Sequence, residues 1–207
     1  MTTVDLVEKQ KTSLETNFKE YEKCRLSPHY FLSKYVYIQD SNNQQRVKWQ
    51  PWPYLLSLLD NFQSERELVI GKANQQGVSW LACAYGGVWL PLFHDDVMSL
   101  FLSHKEQGGS WELINKCKYI LRFLPDFLQR EFNTDSKSEI KFKNESSVLA
   151  LPSTQRAGAG FNASFVFRDE LDLHPYAKEN FAFISPTIDA GAAKLIDAST
   201  RNPDIAR

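Results

Sequence analysis

Hydrophobic residues in the first third of the chain recur at helical spacing. Val4, Leu14, Phe18 and Tyr21 fall on one helical face, which predicts an amphipathic helix over residues 4–24. The segment SPHYFLSKYVYI predicts a second short helix with an extended end, and the polar turn DSNNQQ follows it. In VKWQPWPYLLSLLDNF, prolines precede another apolar run, and proline suits the first turn of a helix.

From residue 67 onward, short apolar runs alternate with longer helical patterns. ELVIGK, DVMSLFLS, ASFVFRD and AKLIDAST predict strands, whereas GVSWLACAYGGVWL and KEQGGSWELINKCKYILRFL predict helices. EIKFKNESSVLALPS predicts a hairpin that turns at Asn144-Glu145. This alternation favours an α/β fold in three layers, with a mostly parallel central sheet and helices on both faces. Ligands of such sheets bind at the carboxyl ends of the strands, so those ends are the first place to look for a site.

Composition narrows the class of protein only a little. The 207 residues are 43% hydrophobic, which is enough for the core of one domain. Twenty-four basic and 25 acidic residues give a net charge of -1, which neither supports nor excludes nucleic acid as a partner. The three cysteines and four histidines show no disulfide or metal-ligand spacing, as expected in a reducing cytoplasm. No apolar run is long enough to span a membrane and no secretory leader opens the chain, so we expect no membrane association.

The strand ELVIGK runs into a loop with the outline of a phosphate-binding loop, GKANQQGVSW. Gly77 and the start of the next helix would direct backbone N–H groups at phosphate oxygens, and Ser79 stands where a hydroxyl would bind Mg²⁺. Val78, however, occupies the position of the standard P-loop lysine. Lys72, at the start of the loop, is the candidate replacement. On the loop alone, an ordinary strand–turn–helix connection with an incidental lysine remains the alternative.

A second strand ends in adjacent acids. Asp169 and Glu170 follow the apolar run of ASFVFRDEL in the Walker B pattern, in which the aspartate holds Mg²⁺ and the next carboxylate polarises the attacking water. A solvated acidic turn is the alternative. The separation between the loop and these acids allows two intervening β-α units, and the joint occurrence of both motifs favours a nucleotide site. We interpret Arg168, just before the acids, as a sheet-edge or helix-pairing charge.

These pieces, in this order, resemble the ATPase domain of the large subunit of tailed-phage DNA-packaging terminases, a P-loop fold of the ASCE, RecA-like type. WQPW is similar to the adenine-reading Q motif, and KANQQGVS to a variant Walker A in which the lysine opens the loop. LFLSHKEQGGSW resembles the helicase-like motif, and LPSTQRAGAGFNASFVFRDEL the segment that leads into Walker B and the catalytic glutamate. IDASTRNP is similar to the Ser-Thr coupling motif, and the resemblance covers about residues 28–205.

The resemblance implies ATP hydrolysis with Mg²⁺ and assigns roles to individual residues. Glu170 would activate water, Lys72 would neutralise phosphate charge, and Ser79 with Asp169 would bind the metal. Arg156 would be an arginine finger acting on a neighbouring subunit, or else a surface or DNA-facing charge. Gln50 would read adenine, while Ser199 and Thr200 would sense the γ-phosphate. The full set of implied nucleotide-binding residues is Trp49, Gln50, Lys72, Asn74, Gln75, Gln76, Gly77, Val78, Ser79, Ser199 and Thr200.

The resemblance also implies a biological setting. The reaction would drive double-stranded DNA into a preformed capsid, and the partners would be that DNA, other copies in a ring motor, the capsid portal and the terminase small subunit, in the host cytoplasm. Residues 1–27 would form an N-terminal helical segment and residues 28–207 the ATPase domain, without the nuclease domain that normally follows. Two alternatives remain: a related superfamily 2 helicase or translocase, and a catalytically inactive P-loop scaffold that binds DNA or portal, which Val78 alone favours.

Overall fold

The structure is a computed structural model that describes residues 3–40, 44–190 and 193–200, with side chains from residue 11 onward. Residues 41–43 of the predicted polar turn, the side chain of Val4, and residues 201–207 at the end of the IDASTRNP segment lie outside that description. The α-helices are α1 (Thr3–Leu26), α2 (Pro28–Tyr35), α3 (Pro53–Ser64), α4 (Val78–Ala84), α5 (Leu90–Phe93), α6 (Trp111–Arg122) and α7 (Ala177–Asp189). The strands are β1 (Tyr37–Gln39), β2 (Arg46–Lys48), β3 (Glu67–Lys72), β4 (Met98–Ser103), β5 (Phe132–Asp135), β6 (Glu139–Phe142), β7 (Ser147–Pro152), β8 (Phe165–Asp169) and β9 (Lys194–Thr200).

The main sheet has seven strands in the order β3-β9-β8-β4-β7-β6-β5, beside a separate β1-β2 ribbon. The first five run parallel to their neighbours, while β6 and β5 add antiparallel strands at one edge. The predicted strands and hairpin are confirmed. The separation between the loop and Asp169 would allow two β-α units, but the structure fills it differently. One β-α unit, β4 with α6, is followed by the antiparallel β5-β6-β7 extension. The strand β5 was missed because it is short and largely exposed, which leaves no alternating pattern.

Side chains of the central strands alternate between two hydrophobic cores. Phe101 and Phe165 belong to the larger core, which residues of α1 to α6 also line. Their neighbours Leu100 and Val166 point the other way, into a second core that Ile184 of α7 closes. Because each face of the sheet is covered by helices, the predicted three-layer α/β architecture is confirmed.

The turn that follows α4 packs closely against the sheet and α6. Between α4 and α5 the chain makes a π-helical turn, Tyr85–Trp89, which contains two glycines. A Cβ atom at Gly86 would overlap the ring of Phe165, and one at Gly87 would overlap the sulfur of Cys117. Only glycine therefore fits at these two positions, where the turn packs closely against β8 and α6.

Two helices differ from the prediction. The helix predicted from Lys105 begins regularly only at Trp111, since Gln107 (ψ 126°) and Gly108 (φ +74°) interrupt the preceding turn. Helix α7, which covers the second core, was not predicted and contains Pro186 near its C-terminal end. None of the helices in the described part of the chain is both long and apolar enough to cross a membrane.

Arg168 lies in the interior of the sheet, since β8 is flanked by β9 and β4. Its Nε and Nη2 donate to the two carboxylate oxygens of Asp197 on β9, at 2.6 and 2.5 Å, and its Nη1 donates to the carbonyl of Ala177 at 2.9 Å. Only 3% of Arg168 is exposed. The sheet-edge interpretation was therefore wrong, whereas contact with a helix, α7, is observed.

The helix α1 is joined to α2 by a cluster around Glu20. Its carboxylate accepts hydrogen bonds from Lys23, Lys34, Tyr30 and Tyr35 at 2.7 to 2.8 Å. Hydrogen bonds, first from Lys23 and then from Lys34 and the two tyrosines, hold the pKa of Glu20 well below its ordinary range. Near the end of α1, the carbonyl of Cys24 accepts a hydrogen bond from the indole of Trp89 at 2.8 Å.

Candidate functional site

The loop between β3 and α4 has a defined backbone shape. Gln75 (φ 58°) and Gly77 (φ 77°) both adopt the left-handed conformation. A Cβ atom at Gly77 would lie 3.1 Å from Cδ1 of Leu55, so both the backbone and the space favour glycine there. The hydroxyl of Tyr54 donates to the carbonyl of Gln76 at 2.6 Å. This contact ties the loop to α3.

Three polar groups converge where β3 and β8 end and α4 begins. The hydroxyl of Ser79 donates to Oδ2 of Asp169 at 2.6 Å, and Nζ of Lys72 lies 3.8 Å from Oδ1 of the same carboxylate. The side chains of Lys72 and Asp169 are only 11% and 12% exposed. An ammonium group, a hydroxyl and a carboxylate therefore meet in one partly buried position, although Ser79 and Asp169 are 90 residues apart in sequence.

A cavity of about 590 Å³ opens beside this cluster, between the β1-β2 ribbon, the start of α3 and the loop. Its volume falls within the range of small-molecule sites, roughly 300–1,000 Å³. Eight of the residues predicted to bind nucleotide line it: Trp49, Gln50, Lys72, Gln75, Gln76, Gly77, Val78 and Ser79. Trp52, Trp80 and Lys116 also line it and were not predicted.

The end of β9 contacts both the loop and the turn after β8. The hydroxyl of Thr200 donates to Oδ1 of Asn74 at 3.2 Å. The hydroxyl of Ser199 accepts a hydrogen bond from the backbone N–H of Asp172 at 3.0 Å. Asn74, Ser199 and Thr200 do not line the cavity. They lie next to it, where the end of β9 contacts the loop and the turn after β8.

Glu170 lies next to Asp169 but outside the lining of the cavity. It has a left-handed backbone (φ 56°), and its N–H donates to Oδ1 of Asp169 at 3.1 Å. Its carboxylate is 41% exposed and lies outside the cavity lining, with Oε2 3.0 Å from Nδ1 of His104. His104 was not predicted as a site residue, although its place directly after the predicted strand DVMSLFLS was a usable signal.

His174 supports the backbone of Asp169. Its Nε2 lies 2.8 Å from the carbonyl of Asp169, and because a carbonyl accepts, Nε2 carries the proton. Burial is the main cause that lowers the pKa of His174 below its ordinary value. The neutral ring therefore fixes the main chain at the end of β8.

Solved structures of phage large terminases are similar in fold to this chain. No protein-family model matches the sequence. A mutant of the Thermus Phage P74-26 large terminase ATPase domain matches at a TM-score of 0.59 and 15% identity, over 74% of this chain and 66% of that one. The HK97 bacteriophage large terminase matches at a TM-score of 0.61 and 13% identity, over 85% and 37%. The large terminase of a thermophilic bacteriophage in complex with ADP matches at a TM-score of 0.56 and 12% identity, over 71% and 38%.

This chain has the fold of a phage large-terminase ATPase domain. It spans about two thirds of the length of the first of these structures and under two fifths of the other two. At identities of 12–15%, the likeness concerns the fold.

Within this terminase-like fold, Arg156 does not join the other site residues. It lies exposed in the turns between β7 and β8 and does not line the cavity. Its backbone carbonyl accepts a hydrogen bond from Ala159 at 3.0 Å. Arg156 therefore stands apart from the cavity that the loop residues line.

Among the described residues of the terminase-like fold, no group of three or more His, Cys, Asp or Glu side chains could hold a metal ion. The oxygens of Ser79 and Asp169 are nevertheless hard donors held 2.6 Å apart. Two such donors suit Mg²⁺, which commonly takes one or two protein ligands and completes its shell with phosphate oxygens and water.

Proposed function

We propose that this chain is the ATP-hydrolysing motor domain of a terminase large subunit, which powers translocation of viral double-stranded DNA into a procapsid. The observation that carries the proposal is the convergence of Lys72, Ser79 and Asp169 beside a left-handed glycine loop. The fold shared with terminase ATPase domains supports it. A similar fold has been solved with ADP, which supports a nucleotide as the ligand of the cavity.

The cavity suggests how ATP would lie. Gln50 would exchange hydrogen bonds with adenine at the end formed by the ribbon and α3, and buried Trp49 would form part of the wall. The loop residues Gln75, Gln76 and Gly77 would direct N–H groups at the phosphates. Both ends belong to one cavity, so a single nucleotide can contact them together.

Lys72 would supply the positive charge that a standard P-loop places at the position of Val78. Val78 is 3% exposed and packs in the larger core, so its position can contribute only a backbone N–H group. Lys72 lines the same cavity, and its ammonium lies 3.8 Å from Asp169. Phosphate oxygens would compete with that carboxylate for the ammonium group, so a lysine at the entrance of the loop can serve the phosphates.

Ser79 and Asp169 would hold Mg²⁺, whose charge offsets that of the phosphates when it is bound. Glu170 would accept a proton from the attacking water. Ser199 and Thr200 would link the phosphate end of the site to β9, since Thr200 already contacts Asn74 of the loop. Exposed Arg156 would act on the site of a neighbouring copy.

The wider setting is part of the same proposal. We assign residues 28–207 to the ATPase domain and residues 1–27 to a helical segment attached through Glu20 and Cys24. The motor would be a ring of copies that acts on double-stranded DNA with the portal and the small subunit in the host cytoplasm.

The test compares Lys72→Ala and Glu170→Ala with the original chain in Mg²⁺-dependent ATP binding and single-turnover hydrolysis. Loss of a charge-assisted contact corresponds to about 1.5–3 kcal/mol, so Lys72→Ala should weaken ATP binding by about 10- to 150-fold. Glu170→Ala should keep binding and lose hydrolysis. Lys19→Ala, which replaces an exposed lysine of α1 outside the cavity, is the control and should change neither. Unchanged affinity in Lys72→Ala would contradict the assigned role of the loop.

An inactive scaffold gives a different result in the same experiment. If the original chain binds ATP but Glu170→Ala hydrolyses it at the original rate, the Walker B assignment is wrong. If the original chain binds no ATP at all, the proposed ATPase function fails. A slow original rate is compatible with the proposal, because a finger acting between copies needs a neighbour.

A further inference from the structure

A histidine lies against the carboxylate to which we assign proton abstraction. His104 is the first residue after β4, and β4 pairs in parallel with β8. The register aligns Leu102 with Arg168, so two residues further on His104 comes level with Glu170. Nδ1 of His104 lies 3.0 Å from Oε2 of Glu170.

Nδ1 of His104 has no other hydrogen-bond partner in the described part of the chain. Nδ1 of His104 is buried and makes no aligned hydrogen bond there. The contact with Glu170 has the distance of a hydrogen bond but not its angle, and the carboxylate is 41% exposed. Since buried ring nitrogens normally have a partner, Oε2 of Glu170 is the acceptor that this geometry offers.

The neighbouring groups cannot take this role. Nε2 of His174 is already engaged with the carbonyl of Asp169. Lys72 lies beside the carboxylate of Asp169, on the cavity side. Glu170 itself leaves the strand in a left-handed conformation, which is uncommon for a residue other than glycine and restricts the directions its side chain can take.

We propose that His104 is a positioning residue for Glu170. The Nδ1–H group holds Oε2 and leaves Oε1 free to accept a proton from water, while the oxygen of that water forms its bond to the γ-phosphorus and ADP departs with the electrons of the broken P–O bond. His104 touches the carboxylate and not the reacting atoms. This inference rests on the proposed function, because it needs Glu170 to be the proton acceptor.

The kinetic test uses two replacements of the same residue. His104→Leu removes the donor, whereas His104→Asn keeps an N–H donor near the position of Nδ1. A correctly placed general base contributes about 10²- to 10⁴-fold, and we expect His104→Leu to lose about 10- to 100-fold of that in single-turnover rate. The ATP concentration at half-maximal rate should stay within about twofold of the original value, since His104 makes no contact that would bind ATP before the reaction. His104→Asn should recover most of the rate, and Lys19→Ala should be unchanged.

Two results would overturn the inference. A rate in His104→Leu that equals or exceeds the original shows that the imidazole does not position the carboxylate. Equal losses in His104→Leu and His104→Asn show that the donor is not what matters. Glu170→Gln separates the two proposals: if it retains the original rate, the proposed function fails, and if it is inactive while His104→Leu is normal, only the positioning role fails.

A second readout needs neither ATP nor turnover. Long-range ¹H–¹⁵N spectra at pH 8, with the His104 signals assigned from His104→Asn, report which ring nitrogen carries the proton. We expect the proton on Nδ1 in the original chain and a changed proton distribution in Glu170→Met. A proton fixed on Nε2, or His104 signals that are identical in Glu170→Met, would refute the contact.

Discussion

The buried pair of Arg168 and Asp197 allows a quantitative prediction about stability. Arg168→Met removes the guanidinium and leaves the carboxylate of Asp197, which is 7% exposed, without its charged partner. The same change deprives the carbonyl of Ala177 of a donor at the start of α7. Both losses occur beneath the helix that closes the second core.

The magnitude follows from the burial of the pair. Breaking a buried ion pair on one side costs about 3–5 kcal/mol, because the remaining charge stays desolvated. In a domain of this size each kcal/mol shifts the melting temperature by about 2–4 °C. We therefore expect Arg168→Met to melt about 6–20 °C lower than the original chain.

The control is the double replacement Arg168→Met with Asp197→Leu, which removes both charges and keeps apolar volume. Replacing both members of a buried pair is often neutral or stabilising, so the double variant should recover most of the loss. The assay is thermal and urea unfolding followed by circular dichroism. A loss below about 1 kcal/mol in Arg168→Met, or equal losses in the single and double variants, would refute the view that an unpaired buried charge is responsible.

Two further predictions concern the loop and α1. Gly77→Ala forces a residue with a side chain into the left-handed conformation next to Leu55, at a cost of about 1–2 kcal/mol. ATP binding, measured by titration, should therefore weaken by about 5- to 30-fold. The control is Gly71→Ala, whose added Cβ atom meets no atom within 4 Å and which should bind ATP normally. Equal affinities in the two variants would contradict a shape requirement at Gly77. Since Lys23 and other donors lower the pKa of Glu20 in the folded chain, its contribution to stability is complete above its ordinary pKa of 4.5 and decreases as the pH falls below it. Glu20→Gln should therefore be less stable at pH 7 and differ less from the original chain at pH 3.5 in thermal unfolding, and a difference that does not change with pH would contradict this origin.

The fold class was predictable because its signals are local. The alternation of apolar runs and helical patterns from residue 67 onward, and the proline at the start of α3, depend on residues close in sequence. The hairpin of β6 and β7 was predictable for the same reason. The short exposed strand β5 and the proline-containing helix α7 lack such a pattern, so their places were decided by pairing and by the second core.

The site was predictable only as a set of candidates. The sequence indicated Lys72, Ser79 and Asp169 by residue type and by position at strand ends. It could not indicate that Ser79 contacts Asp169 at 2.6 Å, because that contact depends on the order of the strands in the sheet. Hydrophobic periodicity says which face of a strand is buried and nothing about which strand lies beside it.

The sequence by itself determined that a glycine loop with an entrance lysine, and a strand ending in two acids, occur in one α/β chain. Tertiary structure decided that β8 lies between β9 and β4. From that order follow the pairing of Arg168 with Asp197 and the contact of His104 with Glu170. The physical reason is that strand order and register arise from packing and backbone pairing between segments far apart in sequence, which no local pattern encodes.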